Sequence, residues 1–177
     1  MEEKERLVVL QATMVILIAA SGFIYKFLGL LLFAVIESML LAGFILLLLK
    51  MKKAFGKDFL RYALYFCLLL LVVSVSIAVL VFSEALGPRI DLFVAVIAAL
   101  LIINMGFRFL FGKNVLEGKV LLSDNKIAVV ELPFDFFAGM QKGMYVVKTD
   151  RKIAKGTKVK VKIAQKMFKK VPERIVE

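Results

Sequence analysis

Residues 30–49 read LLLFAVIESMLLAGFILLLL, twenty positions with a single ionisable side chain, Glu37. A run of about 18 or more apolar residues marks a membrane-crossing helix, because hydrocarbon offers backbone N–H and C=O groups no partner outside the helix itself. Working outward, three further runs share this character: Leu7–Tyr25 before it, then Tyr62–Ser83 and Leu92–Phe111 after it. The pattern predicts four transmembrane helices, over about 7–25, 27–49, 62–83 and 92–111. The chain as a whole is 62% hydrophobic, with mean hydropathy +0.91, too apolar for one water-soluble domain.

Past Phe111 the composition changes abruptly. Residues 113–177 carry 15 Lys+Arg against 7 Asp+Glu, a net charge of +8, which leaves +3 for residues 1–112. The expected organisation is an α+β membrane protein, with a four-helix transmembrane bundle in 1–112 and a small basic OB-like or SH3-like β-barrel in 113–177. Cys67 is the lone cysteine, so no disulfide can form within the chain. With no histidine and no CxxC, a His/Cys metal centre and the usual imidazole base of hydrolases are both excluded. None of the Gly–Lys pairs has the spacing of a phosphate-binding loop. No catalytic, cofactor-binding or metal-binding residues are therefore expected.

Orientation follows from the distribution of basic residues in the short connections. The segment KMKKAFGKDFLR holds Lys50, Lys52, Lys53, Lys57 and Arg61, whereas the other two connections offer only Lys26 and Arg89. The N-terminus, the 50–61 connection and the C-terminal domain are thus expected in the cytoplasm of a multi-pass cell-membrane protein. Cleavage of the first run as a signal peptide, at the small residues AASG, is the competing reading. The acidic start MEEKER argues against it. The junction between Tyr25 and Phe27 leaves room only for a tight antiparallel hairpin flanked by Gly22 and Gly29. Gly87–Pro88 predicts the second break, with Asp91 capping the next helix.

A carboxyl group in a membrane helix must face protein or take up a proton. Ala34, Ser38 and Ala42 beside Glu37 form a small-residue ridge of the kind that lets helices approach. Depth selects Ser74 as the expected partner, with Ser21 and Ser76 within one helical turn of that level. Arg108 lies nearer the cytoplasmic end, where Gln11 matches it better than Glu37 does. The structural reading makes Glu37 a hydrogen-bonded group that sets bundle register. The alternative makes it the proton or cation site of a small, oligomeric transporter or channel subunit.

In the C-terminal region, NVLEGKVLLS, IAVVEL, MYVVKT and TKVKVKIA read as strands, with Asp124 and Asn125 in a turn between the first two. Lys158, Lys160 and Lys162 alternate with Val159, Val161 and Ile163, one face charged and the other buried. EGKV (117–120), the Pro133 loop, KGMYVVKT (142–149) and KIAKGTKVKVKI (152–163) resemble the C-terminal barrel of NfeD-type membrane proteins, and the layout resembles archaeal multi-span proteins that end in such a domain. PFDFFAGMQKG (133–143) is longer than the corresponding loop. The resemblance implies a non-catalytic partner of stomatin-like membrane scaffold proteins, and hence an adaptor or assembly role in a homo- or hetero-oligomer. Phe134, Phe136 and Phe137 offer either a docking surface or a plug for one end of the barrel. Lys158, Lys160 and Lys162 offer a solvated face or a surface for anionic membrane lipid. Binding of single-stranded nucleic acid is the weakest alternative, since Trp is absent and stacking aromatics are few.

Overall fold

Backbone satisfaction in hydrocarbon makes the apolar runs helical, and side-chain periodicity decides how they pack. A computed structural model describes residues 3–82, 90–166 and 169–176. Its elements are α1 (Glu3–Phe55), α2 (Phe59–Phe82), α3 (Ile90–Phe111), β1 (Val115–Ser123), β2 (Ile127–Leu132), β3 (Gly143–Lys148), β4 (Lys158–Lys166) and β5 (Lys169–Val176). They form two compact units, 3–106 and 107–177, and the division between them falls within the sequence of α3. The Gly87–Pro88 break and Arg89 lie outside the described residues, as does the side chain of Asp91.

The described helices number three rather than the four expected from hydropathy, and all three are long and apolar enough to cross a membrane. The difference lies in α1, whose 53 residues would extend about 80 Å if straight, well beyond a hydrocarbon core of about 30 Å. It folds back at Gly29, which adopts φ 75°, ψ 160° inside otherwise helical backbone. That conformation is essentially restricted to glycine. The expected turn at Tyr25–Phe27 has no such residue, so the break falls at Gly29 instead. Contacts between the two arms join positions at nearly equal distances from Gly29. Lys4 lies over the Phe55 ring, Gln11 meets Phe44, Ser21 meets Glu37 and Tyr25 stacks edge-on to Phe33.

Each arm presents a stripe with alternating spacings of three and four residues. On the first arm Val8, Gln11, Val15, Ile18 and Gly22 are buried, and on the second Phe33, Phe44 and Met51 are buried. This is the seam of an antiparallel helix pair. Gly22 lets α2 approach, since a Cβ there would stand 2.6 Å from Ile77 Cγ1. The basic 50–61 connection is helical to Phe55 and closes through a single 3₁₀ turn, Gly56–Asp58, with Gly56 at φ 51°. Arg61 pairs with Asp58 at 3.3 Å and covers Tyr62, which packs against Phe55. The outward surfaces of the helices are aliphatic: only 6% of the window in 29–79 is buried, the pattern of lipid-facing rather than water-facing helices.

The second unit is a closed barrel of order β1-β2-β3-β5-β4. Placing β5 between β3 and β4 makes a Greek key of the OB type rather than a meander. A bulge between Val120 and Leu122 re-aims β1 as it passes from β4 to β2. Leu116, Val120, Val130, Leu132, Val147 and Val161 fill the core. Gly118 is required by close packing: a Cβ would stand 2.4 Å from Val130 Cγ1 and 2.9 Å from the Glu131 carbonyl oxygen. The four strands expected from alternation are β1 to β4. The fifth, KKVPERIV, breaks alternation with Pro172, which lies opposite Ile163 beside a register shift in β4.

Candidate functional site

Glu37 and Gln11 lie on the inward stripes of α1. Glu37 lies eight residues from Gly29, about 12 Å along its arm, and is half-buried. Its partner is Ser21 of the opposite arm, not the expected Ser74: Ser21 Oγ stands 2.6 Å from Glu37 Oε2. Depth alone puts Ser74 level with Glu37 and Ser21 within one turn of that level, and helix rotation selects Ser21. The same hydroxyl lies 2.7 Å from the Ile18 carbonyl oxygen. A serine hydroxyl has one proton, and a carbonyl oxygen can only accept. If Ser21 donates to Ile18, the second contact requires a donor on residue 37, which is the carboxyl proton. If the carboxyl is ionised, Ser21 must give up Ile18 to reach it.

Gln11, fully buried, donates from Nε2 to the Phe44 carbonyl at 3.3 Å. Its Oε1 has no hydrogen-bond partner among the described residues. Arg108 is exposed. The ridge expected to bury against another helix does not do so: Ala34, Ser38 and Ala42 are exposed, and Ser38 bonds back to the Ala34 carbonyl at 2.7 Å. The cause is the stripe itself, which turns Phe33, Glu37 and Phe44 inward and leaves 34, 38 and 42 outside. Tyr65 hydroxyl to Asn104 Oδ1, at 3.4 Å, is a polar contact between α2 and α3 that sequence reasoning missed.

In the barrel unit, Pro133–Lys142 forms a compact loop rather than a protruding one. Asp135 and Met140 exchange backbone hydrogen bonds of 2.9 Å in both directions, and the buried Asp135 carboxylate accepts the Ala138 N–H at 2.9 Å. This turn drives Phe137 into the interior at 1% exposure. There its ring centroid lies 5.9 Å from Phe107 and 6.1 Å from Phe111, on the last turns of α3. Phe137 is thus a plug joining barrel to helix end. Phe134 and Phe136 are half-buried.

Lys158, Lys160 and Lys162 all face outward and are exposed. Their neighbours on β1 are Lys119, Glu117 and Val115. A cleft of about 310 Å³ beside them is lined by Lys119, Lys142 and Lys158 together with Glu117 and Glu131. Lys142 reaches Glu131 at 4.0 Å. The mixed signs suit neither a polyanion groove nor a cation site. Among the described residues, no three Asp, Glu, His or Cys side chains cluster as a metal site would require.

A family model described as "Predicted membrane protein (DUF2101)" matches residues 1–176. The chain belongs to the DUF2101 family. Family membership, apolar helices and the five-stranded barrel together make this DUF2101 chain a membrane protein with a barrel domain. No curated protein and no solved structure matches it.

Proposed function

We propose that this membrane protein is an adaptor whose barrel, on the cytoplasmic face, presents a docking surface for a membrane-scaffold partner or for anionic lipid headgroups. The observation that carries this reading is the junction. Only residues 112–114 separate α3 from β1, and Phe137 packs on Phe107 and Phe111. A barrel attached this way is held against the end of its helix rather than hanging on a flexible linker, which lowers the ordering cost of a partner that binds it. The excess of Lys and Arg in the 50–61 connection supports the cytoplasmic side. The resemblance to NfeD-type barrels supports a stomatin-like scaffold as the class of partner.

Lysine-directed crosslinking in native membranes, followed by mass spectrometry of everything captured by residues 113–177, tests the proposal. A reproducible protein or lipid partner supports the adaptor role. Self-crosslinks alone, with the lysines shown to react, overturn it. Glu37 favours the second reading, a small transporter or channel subunit, only if its contact with Ser21 opens and closes. Ion flux in liposomes that is lost in Glu37→Gln would support that reading. The outer face of β2 and β3, where OB-type barrels bind single strands, carries Ile127, Met144 and Val146 exposed. That is a poor surface for a phosphate backbone.

A further inference from the structure

One side of the barrel's outer wall is apolar. Strand register sets Leu122, Val129 and Val146 side by side across β1, β2 and β3. Met144 stands on the next row, opposite Glu131, and Ile127 on the row to the other side, opposite Lys148. These side chains share the outward face, because β2 and β3 alternate and the bulge before Leu122 returns β1 to it. Met144 is 73% exposed, Leu122 and Val146 66% each, and Ile127 52%. The wall built by β1 and β4 differs: Glu117, Lys119, Lys158, Lys160 and Lys162 stand there, all exposed. Single exposed aliphatics are ordinary on a protein surface, but a contiguous block marks a place where something docks.

The barrel closes on itself and offers no strand edge, so an occupant of this face contributes side chains rather than backbone. A helix does so with its own backbone bonds satisfied, and its residues i to i+7 span about 10 Å. Three neighbouring strands spaced about 4.8 Å apart cover the same width. Leu122 stands seven residues along β1 from Val115, about 23 Å of extended strand, which sets it away from the bilayer that α3 enters. The charges around the block are mainly basic. Lys126 adjoins Ile127, Lys148 pairs with Ile127 across the strands, and Arg174 is level with Lys148. Of the acids nearby, Glu131 meets Lys142 at 4.0 Å, and Asp124 accepts the Asn125 N–H at 2.8 Å.

We propose that this outward face of β1, β2 and β3 docks an amphipathic helix of a partner protein. Apolar residues of that helix at i, i+3 or i+4, and i+7 lie on the aliphatic block, and acidic residues beside them face Lys126 and Lys148. Charge complementarity argues against a second copy of this chain as the occupant, because residues 107–177 carry 16 Lys+Arg against 7 Asp+Glu and would bring more of the same sign. This inference rests on the adaptor reading and adds the surface and the chemistry of the partner.

The test places a photoreactive benzophenone side chain at position 146 of the full chain in native membranes, and at position 160, on the charged wall, for comparison. Mass spectrometry of the crosslinked peptides identifies the segment captured. The expected result is a segment of another protein with the apolar spacing and acidic flank described, captured about tenfold or more in excess at position 146. Capture should fall by a similar factor when Lys126→Glu and Lys148→Glu are combined, with hydrogen exchange in β2 and β3 unchanged. The comparison of positions 146 and 160 holds even if that double variant folds poorly. Capture of lipid alone, of a second copy alone, of segments lacking this pattern, or equally at both positions would each overturn the proposal. If position 146 captures nothing while lysine-directed crosslinking still finds a partner, this surface is wrong and the adaptor reading stands. If both fail, the adaptor reading falls too.

Discussion

The contact between Ser21 and Glu37 gives the sharpest quantitative expectation. Hydrogen bonds between membrane helices contribute about 0.6 kcal/mol on average and up to about 1.7 kcal/mol. Ser21→Ala removes this one and leaves a half-buried carboxyl group without its partner, so a loss of about 1–1.5 kcal/mol in hairpin stability is expected. Glu37→Gln acts differently. If residue 37 is the donor of this contact, the amide N–H₂ takes over that role toward Ser21 Oγ while Ser21 continues to donate to the Ile18 carbonyl 2.7 Å away. The expected cost is below about 0.5 kcal/mol. Glu37→Leu deletes the bond from the other side, and a cycle with Ser21→Ala should return a coupling of about 0.6–1.7 kcal/mol. Reversible unfolding of the full chain in bilayer discs, measured by steric trapping on tags flanking α1, supplies these differences. Should Glu37→Gln cost as much as Ser21→Ala, the case in which residue 37 donates is refuted, and Ser21 is the donor of this contact.

Three further expectations follow from single positions. Gly29→Val places a β-branched residue at φ 75°, ψ 160° and should destabilise the hairpin by about 1–3 kcal/mol; unchanged protease resistance of the 25–33 segment would contradict the turn assignment. Gly118→Ala forces a methyl group onto Val130 and the Glu131 carbonyl and should cost about 1–3 kcal/mol, lowering the barrel's melting temperature by about 5–20 °C. Hydrogen exchange in β1 and β2 reports this loss, and native protection in the variant would rule out the packing described. Replacing Lys158, Lys160 and Lys162 together by Gln removes about 1 kcal/mol of attraction per charge if that face lies on anionic lipid. Unaltered co-sedimentation with vesicles containing phosphatidylglycerol would assign the face to solvent.

Sequence alone determined that the apolar runs within 7–49, 62–82 and 92–111 are helical, that a basic β-domain follows, and which positions of β1, β2 and β4 alternate. These properties are local, because hydrocarbon leaves the backbone no alternative and a half-buried strand must alternate. The tertiary structure decided what depends on rotation and on distant neighbours. The hairpin turns at Gly29 because only glycine there relieves the chain, and the phase of the two arms then brings Ser21, rather than the depth-matched Ser74, to Glu37. Phe137 is a plug because Asp135 and Met140 close the loop upon it, while Phe134 and Phe136 in the same motif stay half-buried. KKVPERIV escaped detection because Pro172 and its charges disguise a strand whose pairing comes from β4.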